Sequence, residues 1–281
     1  MRVHLDCFPC FLRQSLIALR LGTADESLQK DILLSIMDTL RQADTARPPA
    51  YTTTFIHRKI RQLLGRDPFG DIKAEYNRIS LGMYPSLKAE VEKSQDPLWT
   101  GARLAIAGNV IDFGIFTSVD IEGTVRRALN SRIAVDDYTA FRDAIAETEE
   151  ILYLADNAGE IVFDRILAET LMQHGKKVRV VVKGSPVIND ATRTDAEQSG
   201  LTGICEVTDN GSDAVGTILE MTTPDFQDMF RQARLIISKG QGNFETLLGT
   251  GKNIFFLFQS KCDVLSRELG LPTGSMLLRK S

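Results

Sequence analysis

No apolar run in the chain approaches the roughly 18–20 residues that cross a bilayer, which excludes a helical membrane protein. The opening, MRVHLDCFPC, has neither a continuous apolar core nor a small-residue cleavage site, so no secretory leader is expected. Cysteine is scarce: four in 281 residues do not make a disulfide scaffold, and a cytoplasmic setting is expected. Charge of one sign is scarce as well. A formal net charge of −4 provides no basic field, so nucleic acid is not expected as the main partner, and no membrane partner is expected either. Internal repeats and low-complexity tracts are absent. So is a G-x-G-x-x-G after the first expected strand, which counts against a dinucleotide oxidoreductase.

What remains is an ordinary globular composition, 43% apolar and 25% charged, in a chain long enough for about two domains. Residues 1–100 have helical rhythm. DCFPCFLRQSLIALRLG places Phe8, Phe11, Leu12, Leu16 and Leu19 on one face, with Asp6 as a cap, Pro9 in the first turn and Gly22 at the stop. DESLQKDILLSIMDTLRQ repeats the pattern, and TTTFIHRKIRQLLG follows a RPPA break. Shorter helices are expected beyond it, interrupted at Pro68, Pro85 and Pro97, and residues 101–150 are expected to form a helical connection.

From residue 151 the rhythm changes. EILYLAD, KVRVVVKG, ICEVTDN, RLIISKG and NIFFLFQS are short runs rich in Val, Ile and Phe, separated by helix-like segments. This predicts an α/β fold: a mostly parallel, doubly wound, Rossmann-like sheet in the C-terminal half, preceded by an all-helical domain. In such a sheet the ligand site lies beyond the carboxyl ends of the strands. There the sequence places Asp156-Asn157, then Asn189-Asp190, then Asp209-Asn210, followed by Lys239 and Asn243, and finally Lys261.

Two carboxylates and an amide carbonyl are oxygen ligands for a hard divalent cation. Lysines and a glycine-flanked helix start, as in KGQGNFETLLG, suit an anion. Together they predict metal-assisted phosphoryl chemistry. DNAGE by itself is equally good turn chemistry.

ADNAGEIVFD, KGSPVINDAT, SKGQGNFETL and DCFPCFLRQ, with DPFGDIKAEYN (67–77) and GNVIDFG (108–114), resemble the metal-dependent damage-control phosphatase family, long catalogued as a domain of unknown function. The match is closest to its microbial branch with an N-terminal Cys-x-x-Cys. The resemblance implies hydrolysis of phosphate esters of small metabolites, sugar phosphates or damaged phosphorylated metabolites, using Mn, Co, Ni or Mg. It implies metal ligands at Asp156, Asn157 and Asp190 and phosphate contacts at Lys239 and Lys261. FQSKCD lacks the arginine of the eukaryotic branch's Arg-Thr-x-Lys, so substrate contacts around Lys261 are expected to differ from that branch's.

Each residue also has a plainer reading. Asp156, Asn157 and Asp190 fit helix caps and turns. Glu160 fits an acid favoured by a helix dipole, or a carboxylate orienting a catalytic water. Asn243 reads as a helix cap that also reaches the ligand. Asn109 and Asp112 suit a satisfied turn, or the substrate side of the crevice. Lys73 and Asn77 read as surface residues. Cys7 and Cys10, at i and i+3, favour packing, since a zinc site needs a second pair of ligands.

The expected activity is therefore phosphomonoester hydrolysis assisted by a divalent cation. Water is favoured as nucleophile because no Asp-x-Asp follows the first expected strand. An adenosylmethionine-dependent carboxyl methyltransferase and a non-catalytic binder of phosphorylated metabolites are the alternatives.

Overall fold

The computed structural model describes residues 1–110 and 121–281. The first helices are α1 (Cys7–Gly22), α2 (Glu26–Arg41), α3 (Pro49–Leu64), α4 (Gly70–Lys93), α5 (Pro97–Val110) and α6 (Ile121–Asn130). Local chemistry sets their ends. The Asp25 carboxylate accepts from the Ser27 and Leu28 N–H groups to open α2, and Gly65 closes α3 in the left-handed region at φ 69°. Asp6 stands at the start of α1 without capping it; its carboxylate pairs with Arg267. Pro85 does not interrupt α4, contrary to expectation. A proline removes one ladder bond, and α4 is held on both sides of it by burial of Tyr76, Leu87 and Val91.

Helices α1–α3 enclose Phe11, Leu19, Ile32, Ile36, Ile56 and Ile60, and the same cluster takes in Phe69 and Val264. The helical part is thus seated on the C-terminal half through shared apolar packing. Arg58 and Arg61 on α3 reinforce the seat by pairing with Asp213.

The next elements are β1 (Ile133–Asp136), α7 (Tyr138–Glu147), β2 (Glu150–Leu154), α8 (Glu160–Gln173), β3 (Lys177–Val182), α9 (Arg193–Gln198) and β4 (Glu206–Asp209). They are followed by α10 (Pro224–Gln232), β5 (Ile236–Lys239), α11 (Gln241–Leu247), β6 (Ile254–Gln259), α12 (Asp263–Leu269) and β7 (Met276–Lys280). The strand order is β1-β7-β6-β5-β2-β3-β4. Strands β6, β5, β2, β3 and β4 are parallel, while β7 runs antiparallel to β6 and carries β1 parallel to itself.

All five expected strands are present. Strands β1 and β7 add an edge that sequence rhythm did not predict, and β1 lies within the segment expected to be a purely helical connection. That segment also provides α5, whose Ala102, Ala105 and Ile106 pack with Ile151, Tyr153, Ile237 and Phe255 on one face of the sheet. Leu152, Leu154, Phe256 and Phe258 point to the other face, against Phe226, Phe230 and Phe244. This alternation within continuous apolar runs marks a sheet covered on both sides. No helix among the described residues is long and apolar enough to cross a membrane.

The topological switch lies at β2, whose neighbours are β3 on one side and β5 on the other. The chain runs outward from β2 to β4, then returns to β5, leaving a crevice at the carboxyl ends of β2 and β5.

One buried titratable group in the helical part has a measurable consequence. His57 is 2% exposed and its Nε2 has no hydrogen-bond partner among the described residues. Burial, aided by Arg61, pushes its pKa from 6.5 down to about 3. The fold therefore holds a neutral imidazole where the unfolded chain takes up a proton below 6.5. Stability is expected to fall as the pH drops through the window from 6.5 towards 3, by up to about 1.4 kcal/mol per pH unit. In urea unfolding at a series of pH values, His57→Leu should flatten that acid limb; an unchanged slope would contradict the assignment.

Candidate active site

Strand β2 hands over to α8 through Ala155-Asp156-Asn157-Ala158-Gly159, and Gly159, at φ 74°, makes the sharp turn into the helix. The loop after β3 is laced to this turn. The Ala158 N–H donates to the Asn189 carbonyl at 2.8 Å, the Ala191 N–H to the Asp156 carbonyl at 2.7 Å, and Asn157 and Asp190 form a β-bridge. Asp156, Asn157 and Asp190 therefore meet at one rim although two separate loops carry them.

Helix α4 clamps the turn from outside. Asn77 Oδ1 accepts from the Gly159 N–H at 2.7 Å, while its Nδ2 donates to Asp195 at 2.9 Å and Gln198 at 2.7 Å. Lys73 pairs with the other Asp195 oxygen at 2.8 Å. Both residues are buried, not on the surface as their helical spacing had suggested. A helical turn apart, they face the loop rather than water.

Glu160, 1% exposed, is the hub beneath the rim. Its Oε2 accepts from Asn109 Nδ2 and Asn157 Nδ2, both at 2.9 Å, and its Oε1 accepts from Lys239 Nζ at 2.6 Å. The Asn109 amide is oriented by the Gln259 N–H, which donates to its Oδ1 at 3.1 Å; its Nδ2 also reaches Asp156 Oδ2 at 3.1 Å. Asp112 lies outside the described residues.

Lys239 is fully buried, and its ammonium donates to Glu160, to Asp164 at 2.6 Å and to the Ala105 carbonyl at 2.7 Å. These three acceptors match an ammonium's three protons. Lys239 thus sits under the crevice and braces Glu160, a different placement from the phosphate-gripping one its sequence position suggested. Asp164 also accepts from Tyr153, and burial pushes its pKa up to about 6 against the pull of Lys239. Asn243 is likewise internal: it donates to the Lys239 and Ala155 carbonyls and accepts from Thr217, while Gly240 holds the cap position of α11.

Lys261 does line the crevice, together with Asn109, Asp156, Asn157, Asn189 and Asp190, and its charge acts on Asp156. The cleft measures about 180 Å³. Its far wall comes from residues that sequence reasoning did not single out: Gln14 and Ile17 on α1, Phe69, and Ile188 and Val215 from the sheet loops. Lys183 was also missed. It follows β3 as Lys239 ends β5, is 4% exposed, and pairs with Asp190 at 3.3 Å and with the Gly216 carbonyl. A lysine closing a buried strand was the available signal in both cases.

The electrostatics concentrate negative charge. Burial pushes the Asp156 pKa well above the usual carboxylate range, helped by Glu160 and Asp190 and opposed by Lys261 and Lys183. Burial also raises that of Asp190, with Lys183 opposing. Gly240, at φ 81°, leaves the space that the Asp156 carboxylate fills: a Cβ there would stand 2.0 Å from its Oδ2.

Such a donor set suits a hard cation. Among the described residues no hydrogen-bond donor is aligned on the buried Asp190 Oδ2, whose approach to Lys183 is an ion pair. Crowded carboxylates of raised pKa are the groups a divalent charge would relieve. Among the described residues no three His, Cys, Asp or Glu side chains are grouped to hold a metal by themselves, so a cation bound here would need the Asn157 amide as well as Asp156 and Asp190. Cys7 is buried in the helical core, Cys10 is exposed, and all four cysteines are free thiols.

The chain has relatives. A model of the damage-control phosphatase ARMT1-like domain matches residues 3–277. A damage-control phosphatase of Pyrococcus horikoshii is 31% identical over 286 residues, covering 100% of this chain and 99% of that one. A damage-control phosphatase of Archaeoglobus fulgidus is 30% identical over 287 residues, covering 99% of each. Among solved structures, a DUF89-family protein of Pyrococcus horikoshii superimposes with a TM-score of 0.92 at 31% identity, over 100% of this chain and 99% of that one.

Proposed function

The chain belongs to the damage-control phosphatase ARMT1-like family, and from that premise we propose that it hydrolyses phosphate monoesters of small metabolites with the help of a divalent cation held by Asp156, Asn157 and Asp190. The observation that carries the reading is the convergence of two loops on one small cleft, where Asp156 is crowded by Glu160 and Asp190 and faces Lys261. When bound, the cation, Mn, Co, Ni or Mg, would supply Lewis-acid polarisation of the phosphoryl group and would lower the pKa of a water.

The chain's own residues do the remainder. Asn157 is held at the rim by Glu160, whose carboxylate accepts a hydrogen bond from the Asn157 Nδ2 at 2.9 Å. Asn109 ties Asp156 and Glu160 together from α5, so the ligand side chains are positioned before substrate arrives. Lys261 neutralises phosphoryl oxygens as charge builds on them in the transition state. Lys239 and Asp164 act as positioning residues beneath Glu160. Gln14, Ile17, Phe69 and Ile188 face the alcohol portion of the ester and exclude water from it.

A screen of phosphate release over a panel of phosphorylated metabolites, with each divalent cation in turn, tests this directly. Release should require the cation, stop in chelator and return on addition of Mn or Co. Full activity in chelator would sink the reading. Binding of the same metabolites without any phosphate release would favour the non-catalytic alternative, and calorimetric binding of adenosylmethionine the methyltransferase.

A further inference from the structure

Among the described residues, Ile188 is the one non-glycine with positive φ, at 45°. Turns that need this conformation normally use glycine or asparagine, and a β-branched residue there is strained. Strain of this kind persists only where the surroundings over-determine it. The surroundings here are specific. The Asp190 N–H donates to the Val187 carbonyl at 3.0 Å, closing a turn over 187–190 with Ile188 at its first corner. The Ile188 side chain packs against the α1–α3 core and also lines the cleft. One step upstream of Val187, the Pro186 carbonyl accepts from Arg61 on α3. Two ties therefore run from the helical part into this turn. Immediately downstream, the Asn189 carbonyl takes the Ala158 N–H at 2.8 Å and Asp190 bridges Asn157.

We propose that Ile188 is a positioning residue: packed against the helical core, its side chain holds the 187–190 turn in its left-handed form and so sets Asp190 against Asn157. Glycine would relax the backbone at this corner, but it would leave the loop without its apolar anchor. A strained isoleucine gives the turn a single arrangement, and the helical part thereby becomes a support of the candidate ligand set. The inference rests on the reading of Asp190 as a cation ligand.

The test compares Ile188→Asn, Ile188→Gly and Ile188→Val in two measurements, urea unfolding and calorimetric titration with Mn²⁺. Asparagine and glycine adopt positive φ readily, so relief of strain should offset the lost packing and leave the unfolding midpoint no lower than in the wild type. Their Mn²⁺ affinity should nevertheless fall about tenfold, as for loss of a group supporting metal ligands. Ile188→Val keeps both the β-branched anchor and the strain and should titrate like the wild type. Two results would overturn the proposal: undiminished Mn²⁺ affinity in Ile188→Asn, or weaker affinity that merely tracks a loss of stability, as for an ordinary packing residue. A wild-type protein that takes up no Mn²⁺ would instead bring down the ligand set itself, and this proposal with it.

Discussion

Asp156→Ala is expected to abolish phosphate release, by at least about 10³-fold, in a protein that unfolds no more easily than the wild type. The two halves of that expectation have one cause. Asp156 stands in a cleft where burial, Glu160 and Asp190 all disfavour its charged form. Its carboxylate is thus a load on the fold, retained for what it binds, and deleting it removes repulsion together with a candidate cation ligand. Gly240→Ala should reproduce much of the loss without removing a polar atom, because its Cβ would enter the space of the Asp156 carboxylate. Phosphate release in saturating Mn²⁺ and urea unfolding, measured side by side, check both halves. Turnover by Asp156→Ala above a few per cent of wild type would remove Asp156 from the site.

The second large effect is on stability. Lys239→Met should cost about 3–5 kcal/mol, the range found when one partner of a buried ion pair is deleted. Lys239 is fully buried between Glu160 and Asp164, each about 1% exposed, and pairs with both. The carboxylates left behind must either stay ionised in an apolar setting or take up protons. The deficit should therefore shrink as the pH falls, since protonation removes the stranded charge, and Asp164 already titrates near 6 with the lysine in place. Adding Glu160→Gln and Asp164→Asn to Lys239→Met should recover part of the loss at neutral pH. A single variant within 1 kcal/mol of wild type would show that the lysine is not the counter-charge its geometry makes it. Its catalytic effect should arise through Glu160 and hence Asn157, since Lys239 does not itself line the cleft.

Much of this architecture was readable beforehand. Strands β2, β3 and β6 announced themselves because a strand covered on both faces is apolar along its buried stretch, as ILYL, VVV and IFFLF are. The Asp-Asn pair followed from the rule that ligands gather where such strands end. Strand β7, MLLRK, was not readable, because a short run after a glycine–proline loop becomes a strand only by pairing with β6. Strand β1, IAVD, is in turn defined by β7. Lys73 and Asn77 were misplaced for a related reason: helical spacing shows that two side chains share a face, and only the packed fold shows what that face meets.

By itself, then, the sequence determined the α/β order, the helical half and the two loops that carry Asp156, Asn157 and Asp190, because those depend on periodicity and on which residues a turn or a strand tolerates. The tertiary structure alone decided that Lys239 points inward to acids 79 and 75 residues away in the chain, that α1 brings Gln14 and Ile17 to the cleft, and that an isoleucine occupies a left-handed corner. Those outcomes turn on which groups desolvate one another, and distant residues do so only once the chain has packed.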